Sequence, residues 1–376
     1  MALKVMTIVG TRPELIKLSR VIAELDVRLP HVLVHTGQNF DYELNKVFFE
    51  QLEIRKPDYF LEAAAGTPAQ AIANMIAKSD EVLEKEKPDA VLLLGDTNSC
   101  LSVIAAKRRK IPIFHMEAGN RCFDENTPEE INRKIVDHVS DINLPYSEHA
   151  RRYLLAEGLK AETIIKTGSP MREVLQYYMR KIERSGILQE LAVTPGGYFL
   201  VSAHREENVD TPENLLALLD SIKAVGETYR LPIIVSTHPR TRKRIEELGR
   251  QVDAGPYVRF LKPLGFLDYV KLQMHARCVI SDSGTITEES SIIGFPAITI
   301  RNTHERPEGM DEGTLIMSGL RSEQVLKSIE VVLAQHEDGV RAFRGVPDYE
   351  ADNVSKKVVR IILSYVGYVN RYTWHR

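Results

Sequence analysis

VMTIVGTRPELIKLSRVIAEL, residues 5–25, is the stretch whose reading decides the fold. Val5 to Val9 is a short apolar run with β-branched members, the composition of a buried strand. Gly10-Thr11-Arg12-Pro13-Glu14 breaks it, and Leu15, Leu18, Ile22 and Leu25 then recur at helical spacing. Strand, glycine turn and helix open a βαβ unit. Pro13 suits a first helical turn, where a missing N–H costs nothing. Arg12 stands at the same helix N-terminus, where backbone N–H groups already favour an anion. The turn is not G-x-G-x-x-G, so the dinucleotide fingerprint is absent.

The alternation continues outward from this stretch. Val32–His35, Ala90–Leu94, Ile111–Phe114, Asp141–Leu144 and Thr163–Lys166 read as strands. Helices are read from Leu44, over Pro68–Leu83 with Thr67 as N-cap, and over Cys100–Lys107, Glu129–Val139 and Glu148–Glu157. After the turn Thr167-Gly168-Ser169-Pro170 the pattern restarts. Tyr198–Ser202, Pro232–Ser236, Val258–Leu261, Cys278–Ser281 and Ala297–Ile300 read as strands, with helices from Thr211-Pro212, Glu288, Ser322 and Ser355. Two successive βα arrays predict an α/β protein of two doubly wound, Rossmann-like domains. Their expected spans are 1–169 and 170–354, with 355–376 a last helix returning to the first domain. A ligand is expected in the cleft between them, because both sets of strand ends can face it.

Composition narrows the function. The 376 residues exceed one ordinary core. A net charge of −3 leaves no electrostatic footprint for nucleic acid. No apolar run approaches the ~20 residues of a membrane helix, and MALKVMTIVG turns polar too soon for a signal peptide. Cys100, Cys122 and Cys278 are scattered, with no metal-ligand spacing, which fits a reducing cytoplasm.

The residues with chemistry to offer sit where the predicted strands end. HMEAGNRCFDENTPEEINR, residues 115–133, carries Glu117, Asp124, Glu125, Glu129 and Glu130 together with Arg121 and Arg133. Asp96, Glu117 and Glu129 follow neighbouring strands, so their carboxylates can converge, one as acid and another as base. The same cluster could hold a divalent metal, but Arg12, Arg306 and a helix N-terminus can neutralise a diphosphate without one, so no metal and no cofactor is expected. Ser283-Gly284-Thr285 opens a helix and exposes N–H groups as a phosphate cradle. Arg12 and Arg306 could close on the same diphosphate. Glu289, inside that helix, could accept both hydroxyls of a ribose. His204 and His238 each end a predicted strand on the same face.

These motifs in order resemble the non-hydrolysing UDP-N-acetylglucosamine 2-epimerase family, of the glycosyltransferase-B-like fold. The match runs through Gly10-Thr-Arg-Pro-Glu14, Gly95-Asp-Thr97, Glu117-Ala-Gly119, Pro128-Glu-Glu-Ile-Asn-Arg133, His204-Arg205, Asp282-Ser-Gly284 and Glu305-Arg-Pro-Glu308. The resemblance implies removal of the C2 proton and expulsion of UDP from C1, then return of UDP and reprotonation at C2 from the other face. By it, Asp96, Glu117 and Glu129 are acid/base and cation-stabilising carboxylates, and His204 assists at the diphosphate. Arg12, His204, Ser283 and Gly284 hold diphosphate, Glu289 holds ribose, and Lys17 fills the family's lysine position. His238, Phe266, Thr285 and Arg306 complete the expected substrate-binding set. The assignment of carboxylates to the two faces of C2 stays open. A cytoplasmic homodimer is implied, acting on a UDP-sugar without nucleic acid or membrane.

The chain also departs from the family's usual pattern. Thr285 stands where a Gly is usual, Gln38-Asn39-Phe40 replaces Gln-His-Arg, and the acidic loop reads Gly-Asn-Arg-Cys-Phe-Asp-Glu-Asn. These changes resemble the capsule and O-antigen subgroup that converts UDP-2-acetamido-2,6-dideoxy-L-talose to UDP-N-acetyl-L-fucosamine. Loss of the His-Arg pair implies hyperbolic kinetics with no requirement for UDP-N-acetylglucosamine as activator. Competing expectations are a UDP-N-acetylglucosamine to UDP-N-acetylmannosamine epimerase, a glycosyltransferase on the same two-domain plan, a hydrolysing epimerase and a catalytically silent nucleotide-sugar sensor.

Overall fold

The computed structural model describes residues 2–37, 42–249, 254–336 and 343–376. The Gln38-Asn39-Phe40 loop lies outside them. The chain forms two units, Met1–Tyr177 with Asp348–Arg376, and Tyr178–Pro347.

Unit 1 contains β1 (Val5–Val9), β2 (His31–His35), β3 (Tyr59–Phe60), β4 (Ala90–Leu94), β5 (Ile113–Met116) and β6 (Ile142–Leu144), in the order β3-β2-β1-β4-β5-β6. Every pairing is parallel, with Val5 opposite both His31 and Ala90. β1 and β4 are buried along their whole length, as strands covered on both faces require. Met6, Ile8, Val91 and Leu93 project to one face and pack with Val103, Ala106 and Val136. The C-terminal helix Val354–Tyr372 packs on the helix Arg12–Arg28. It buries Val358, Ile362, Val366 and Val369, one stripe at helical spacing. Asp348 anchors this returning segment, accepting from Lys166 Nζ at 2.6 Å and from Glu148 N–H at 3.0 Å.

Unit 2 contains β7 (Phe199–Ser202), β8 (Ile233–Ser236), β9 (Val258–Leu261), β10 (Cys278–Ser281), β11 (Ala297–Thr299) and β12 (Ile316–Met317), ordered β12-β11-β10-β7-β8-β9 and parallel throughout. Phe199, Val201, Ile233 and Val235 face Leu215, Leu218, Val325 and Ile329 of the helices Pro212–Tyr229 and Ser322–Ala334. Leu200, Ile234 and Val279 point the other way, onto Leu272 and Ile286. This period of two places each helix pair on its own face of the sheet.

Several sequence boundaries move. The division falls at Tyr177–Tyr178, within the helix Met171–Glu183, not at 169/170, and the chain returns at Asp348, not at 355. Neighbouring tyrosines belong to different units: Tyr177 lies 3.5 Å from the Arg20 guanidinium, while Tyr178 meets Phe266 edge-on at 5.9 Å. Thr163–Lys166 is not a strand; it follows a 3₁₀ turn, Ala161–Thr163, and makes one isolated bridge, Asn143 to Ile164. Thr67 caps its helix through its side chain, accepting from Gln70 N–H at 3.2 Å, whereas Thr211 makes no such bond. Among the described residues, no helix is long and apolar enough to cross a membrane.

Candidate active site

In each sheet the strand order reverses at its first strand, between β1 and β4 and between β7 and β10. Connections diverge there, so a crevice opens beyond the carboxyl ends of those strands. In unit 1 the loops at that point are Gly10–Glu14 and Gly95–Thr97. They are drawn close: a Cβ on Gly10 would stand 1.9 Å from Ser99 Oγ and 2.3 Å from Thr36 Oγ1, so only glycine fits. Glu14 turns back to accept from Gly10 N–H at 3.0 Å, Thr11 Oγ1 at 2.7 Å and Thr97 Oγ1 at 3.2 Å. Its donors are neutral, and burial pushes its carboxyl up to about 7.

One helix, Pro128–Val139, organises the carboxylate loops. Glu130, Arg133 and Asp137 share its buried face at spacings of three and four residues. Arg133 donates from Nε to Asp96 Oδ2 at 2.8 Å and from Nη1 to Glu130 Oε2 at 2.8 Å. Glu130 in turn accepts from Cys122 N–H and Phe123 N–H, both at 3.1 Å. Burial would raise its carboxyl; these bonds and Arg133 outweigh that and hold it below the usual range. Asp137 accepts from Gly119 N–H at 3.1 Å, Arg121 Nη1 at 2.7 Å and His115 Nδ1 at 2.9 Å. It too is held below its ordinary value, since His115 and Arg121 more than offset the effect of burial.

Glu117 follows β5 with φ +62°, in the left-handed region. A non-glycine residue held there costs about 1–3 kcal/mol and persists only where its surroundings impose it. Its N–H is fixed on Leu144 O at 3.2 Å, Lys17 Nζ lies 2.6 Å from its Oε2, and Asn120 Nδ2 lies 3.4 Å from its Oε1. Asp96 and Glu117 therefore each carry a cation, Arg133 and Lys17. Glu129 sits half-buried in the first turn of the Pro128–Val139 helix, beside Glu130. Arg12 begins the helix Arg12–Arg28, its guanidinium 5.3 Å from the centre of the Phe48 ring.

In unit 2, Asp282 ties the β7 and β10 loops together. It accepts from His204 N–H at 2.9 Å, Arg205 N–H at 2.9 Å and Asn208 Nδ2 at 3.1 Å, and its Oδ1 lies 3.2 Å from His204 Nδ1. Burial would raise this carboxyl, but His204 and these donors bring it down to about 2. A Cβ on Gly284 would stand 2.3 Å from Glu305 Oε1, so the cradle needs glycine there. Ser283 Oγ and Thr285 Oγ1 share a hydrogen bond of 3.0 Å across that turn. Glu289 is buried and accepts from Gln273 Nε2 at 2.6 Å.

Three residues named from the sequence have other attachments. Arg306 is 2% exposed, donating to Gly284 O at 3.0 Å with Nη2 3.0 Å from Glu288 Oε2, so it braces the cradle from within. His238 caps the helix Pro239–Leu248 by accepting from Arg240 N–H at 3.3 Å, with its ring 6.0 Å from that of His204. Phe266, the first residue of the helix Phe266–His275, is buried against Tyr178. Sequence reasoning missed the buried scaffold of Glu14, His115, Asp137 and Asp282. Glu14, His115 and Asp282 lie inside quoted motifs; for Asp137 the one available signal is its helical spacing from Arg133. Among the described residues, no group of three or more His, Cys, Asp or Glu side chains is placed to hold a metal ion.

Two parallel six-stranded sheets of this order, each with its loops gathered at a switch point, define a two-unit α/β enzyme of the glycosyltransferase-B-like epimerase type. A family model described as UDP-N-acetylglucosamine 2-epimerase matches residues 23–363, and the chain belongs to that family, whose members are isomerases of UDP-sugars. It is 59% identical to the UDP-N-acetylglucosamine 2-epimerase of Rickettsia bellii, each chain covered over 100%, with a TM-score of 0.94. The crystal structure of the Methanocaldococcus jannaschii UDP-GlcNAc 2-epimerase in complex with UDP-GlcNAc and UDP is 34% identical, covering 96% of this chain and 100% of the other, with a TM-score of 0.89. The UDP-2,3-diacetamido-2,3-dideoxy-D-glucuronate 2-epimerase of Pseudomonas aeruginosa is 35% identical over 340 residues, 89% of this chain and 93% of its own length.

Proposed function

We propose that the protein inverts C2 of a UDP-N-acetylhexosamine by eliminating UDP and adding it back. The observation that carries this reading is Glu117, a carboxylate held in left-handed backbone and paired with Lys17, at the end of β5. The C2–H is a weak acid, because no carbonyl adjoins it. As the C1–O bond to UDP breaks, positive charge grows at C1 and a carboxylate takes the C2 proton, giving a 2-acetamidoglycal. UDP oxygen then attacks C1 while a second carboxylic acid returns a proton to the opposite face of C2. Asp96, Glu117 and Glu129 supply these groups. Unit 2 holds the nucleotide: Ser283 and Gly284 with His204 take the diphosphate, and Glu289 takes the ribose. The same reading carries a homodimer, which sedimentation velocity tests.

For the sugar, the reading is conversion of UDP-2-acetamido-2,6-dideoxy-L-talose to UDP-N-acetyl-L-fucosamine. Asn120 lies beside Glu117, and Cys122 Sγ lies 3.4 Å from Arg133 Nη1 and Glu130 Oε2, so the departures in the acidic loop fall among the carboxylates. The second reading, UDP-N-acetylglucosamine to UDP-N-acetylmannosamine, is favoured by the activities for which the Rickettsia and Methanocaldococcus proteins are named. NMR of each UDP-sugar with the protein in D₂O tests both. Deuterium at C2 of intact UDP-sugar supports the mechanism, and the sugar that exchanges faster is the substrate. Release of free sugar and UDP without C2 deuterium in the UDP-sugar would overturn it.

A further inference from the structure

His115, the third residue of β5, is fully enclosed at 1% exposure. Its Nδ1 lies 2.9 Å from Asp137 Oδ1 and its Nε2 lies 2.7 Å from Gly95 O. A backbone carbonyl only accepts, and an ionised carboxylate only accepts. Both ring nitrogens therefore face acceptors, and the ring adds a side-chain bridge to the backbone bonds Gly95 N–H to Met116 O at 3.0 Å and Glu117 N–H to Leu144 O at 3.2 Å. On one side Gly95 immediately precedes Asp96. On the other, Asp137 accepts from Gly119 N–H, two residues after Glu117, and is itself gripped by Arg121. Arg121 is fixed in turn by two bonds of 2.7 Å to Glu157.

We propose that His115 is the positioning residue that sets Asp96 and Glu117 relative to one another, acting through the Gly95 carbonyl on one side and Asp137 on the other. This rests on the reading of those two carboxylates as acid/base groups. The sheet fixes the strands, with Leu93 in register with His115, and its last backbone bonds reach Gly95 N–H and Glu117 N–H; the Gly95 carbonyl and the Gly119 N–H beyond them are tied through His115 and Asp137. In the β4 turn, Gly95 has φ +80° and no side chain to pack; in the β5 turn, Glu117 and Gly119 both have positive φ. The two His115 bonds act in series beside the direct Gly95 N–H to Met116 O bond, so opening either end removes the same contribution.

That serial form makes the test. In His115→Asn the amide nitrogen stands where Nδ1 stood, keeping the Asp137 bond and losing Gly95. In His115→Gln it stands where Nε2 stood, keeping Gly95 and losing Asp137. Each should lower kcat about tenfold or more, since displacements near 1 Å at reacting groups cost up to ~10²-fold, while KM and UDP affinity by calorimetry stay within twofold. His115→Ala, cutting both ends, should fall little below either one. Turnover within threefold of wild type in both amide variants would overturn the proposal. So would losses that multiply in the alanine variant and follow the melting temperature, the mark of packing alone. If wild type itself places no deuterium at C2, the epimerase reading fails; if wild type exchanges and the amide variants match it, only the positioning role fails.

Discussion

Lys17 Nζ lies 2.6 Å from Glu117 Oε2, with the two side chains 5% and 12% exposed. The helix Arg12–Arg28 thus supplies the counter-charge for a carboxylate that β5 delivers in left-handed backbone. Breaking a buried pair by removing one partner leaves the other charge uncompensated and costs about 3–5 kcal/mol. Lys17→Met should therefore destabilise strongly, and the double variant Lys17→Met/Glu117→Gln should regain much of that loss. Strictly additive losses in urea unfolding would mean that the pair does not act as a unit.

The carboxylates divide chemistry from binding. Asp96→Asn, Glu117→Gln and Glu129→Gln should each reduce turnover ~10²-fold or more, the usual contribution of a general acid or base. UDP should bind all three at near wild-type affinity, because its proposed ligands His204, Ser283, Gly284 and Glu289 lie in unit 2. Near-normal turnover in two of the three removes them from the mechanism. Activity should survive EDTA; loss on chelation, reversed by Mg²⁺, would bring a metal back into the acidic loop.

Much of this was legible in the sequence, and the limits have physical causes. The β1 and β4 strands read directly because a parallel strand buried on both faces is continuously apolar. β3 and β12, two residues each at the sheet edges, carry too little pattern to see. The acidic loop is visible as a charge-rich stretch, but its pairing is not: Arg133 pairs with Asp96 and Lys17 with Glu117, and a helical spacing cannot announce which ion a side chain meets. Arg306 pairs with Glu288 at 3.0 Å, a partner eighteen residues earlier that nothing in Glu305-Arg306-Pro307 announces.

Two buried carboxyls should give opposite pH signatures. Glu14, raised from 4.5 to about 7, binds more protons folded than unfolded between those values. Its contribution to stability is present at low pH and is lost as pH rises through that window, by roughly 3 kcal/mol in all. Glu14→Gln should remove that slope. Asp282, lowered from 3.8 to about 2, contributes stability above its unfolded value, lost as pH falls through the folded one. Asp282→Asn should destabilise at pH 7 and flatten the acid limb. Urea unfolding from pH 2 to 8 checks both; unchanged slopes in the Gln variant would show that Glu14 is not the group concerned.

The phosphate cradle offers the sharpest steric test. Glu305, whose Oε1 would lie 2.3 Å from a Cβ on Gly284, cannot swing away cheaply. Arg301 Nη1 holds its other oxygen at 2.6 Å, and Arg205 Nη2 lies 3.4 Å from the oxygen concerned. Gly284→Ala must then shift the Asp282–Thr285 turn itself. Overpacking of this kind costs about 1–3 kcal/mol, which on a binding turn is roughly 5- to 150-fold in affinity. UDP titrated by calorimetry should show that loss, with the fold intact by circular dichroism. Thr285→Gly restores the residue usual in the family and gives up only the Ser283 Oγ–Thr285 Oγ1 bond, so it should bind UDP within about threefold of wild type. Wild-type affinity in Gly284→Ala would mean that the turn does not carry the phosphate; a large loss in Thr285→Gly would move the burden from the backbone of the cradle to its hydroxyls.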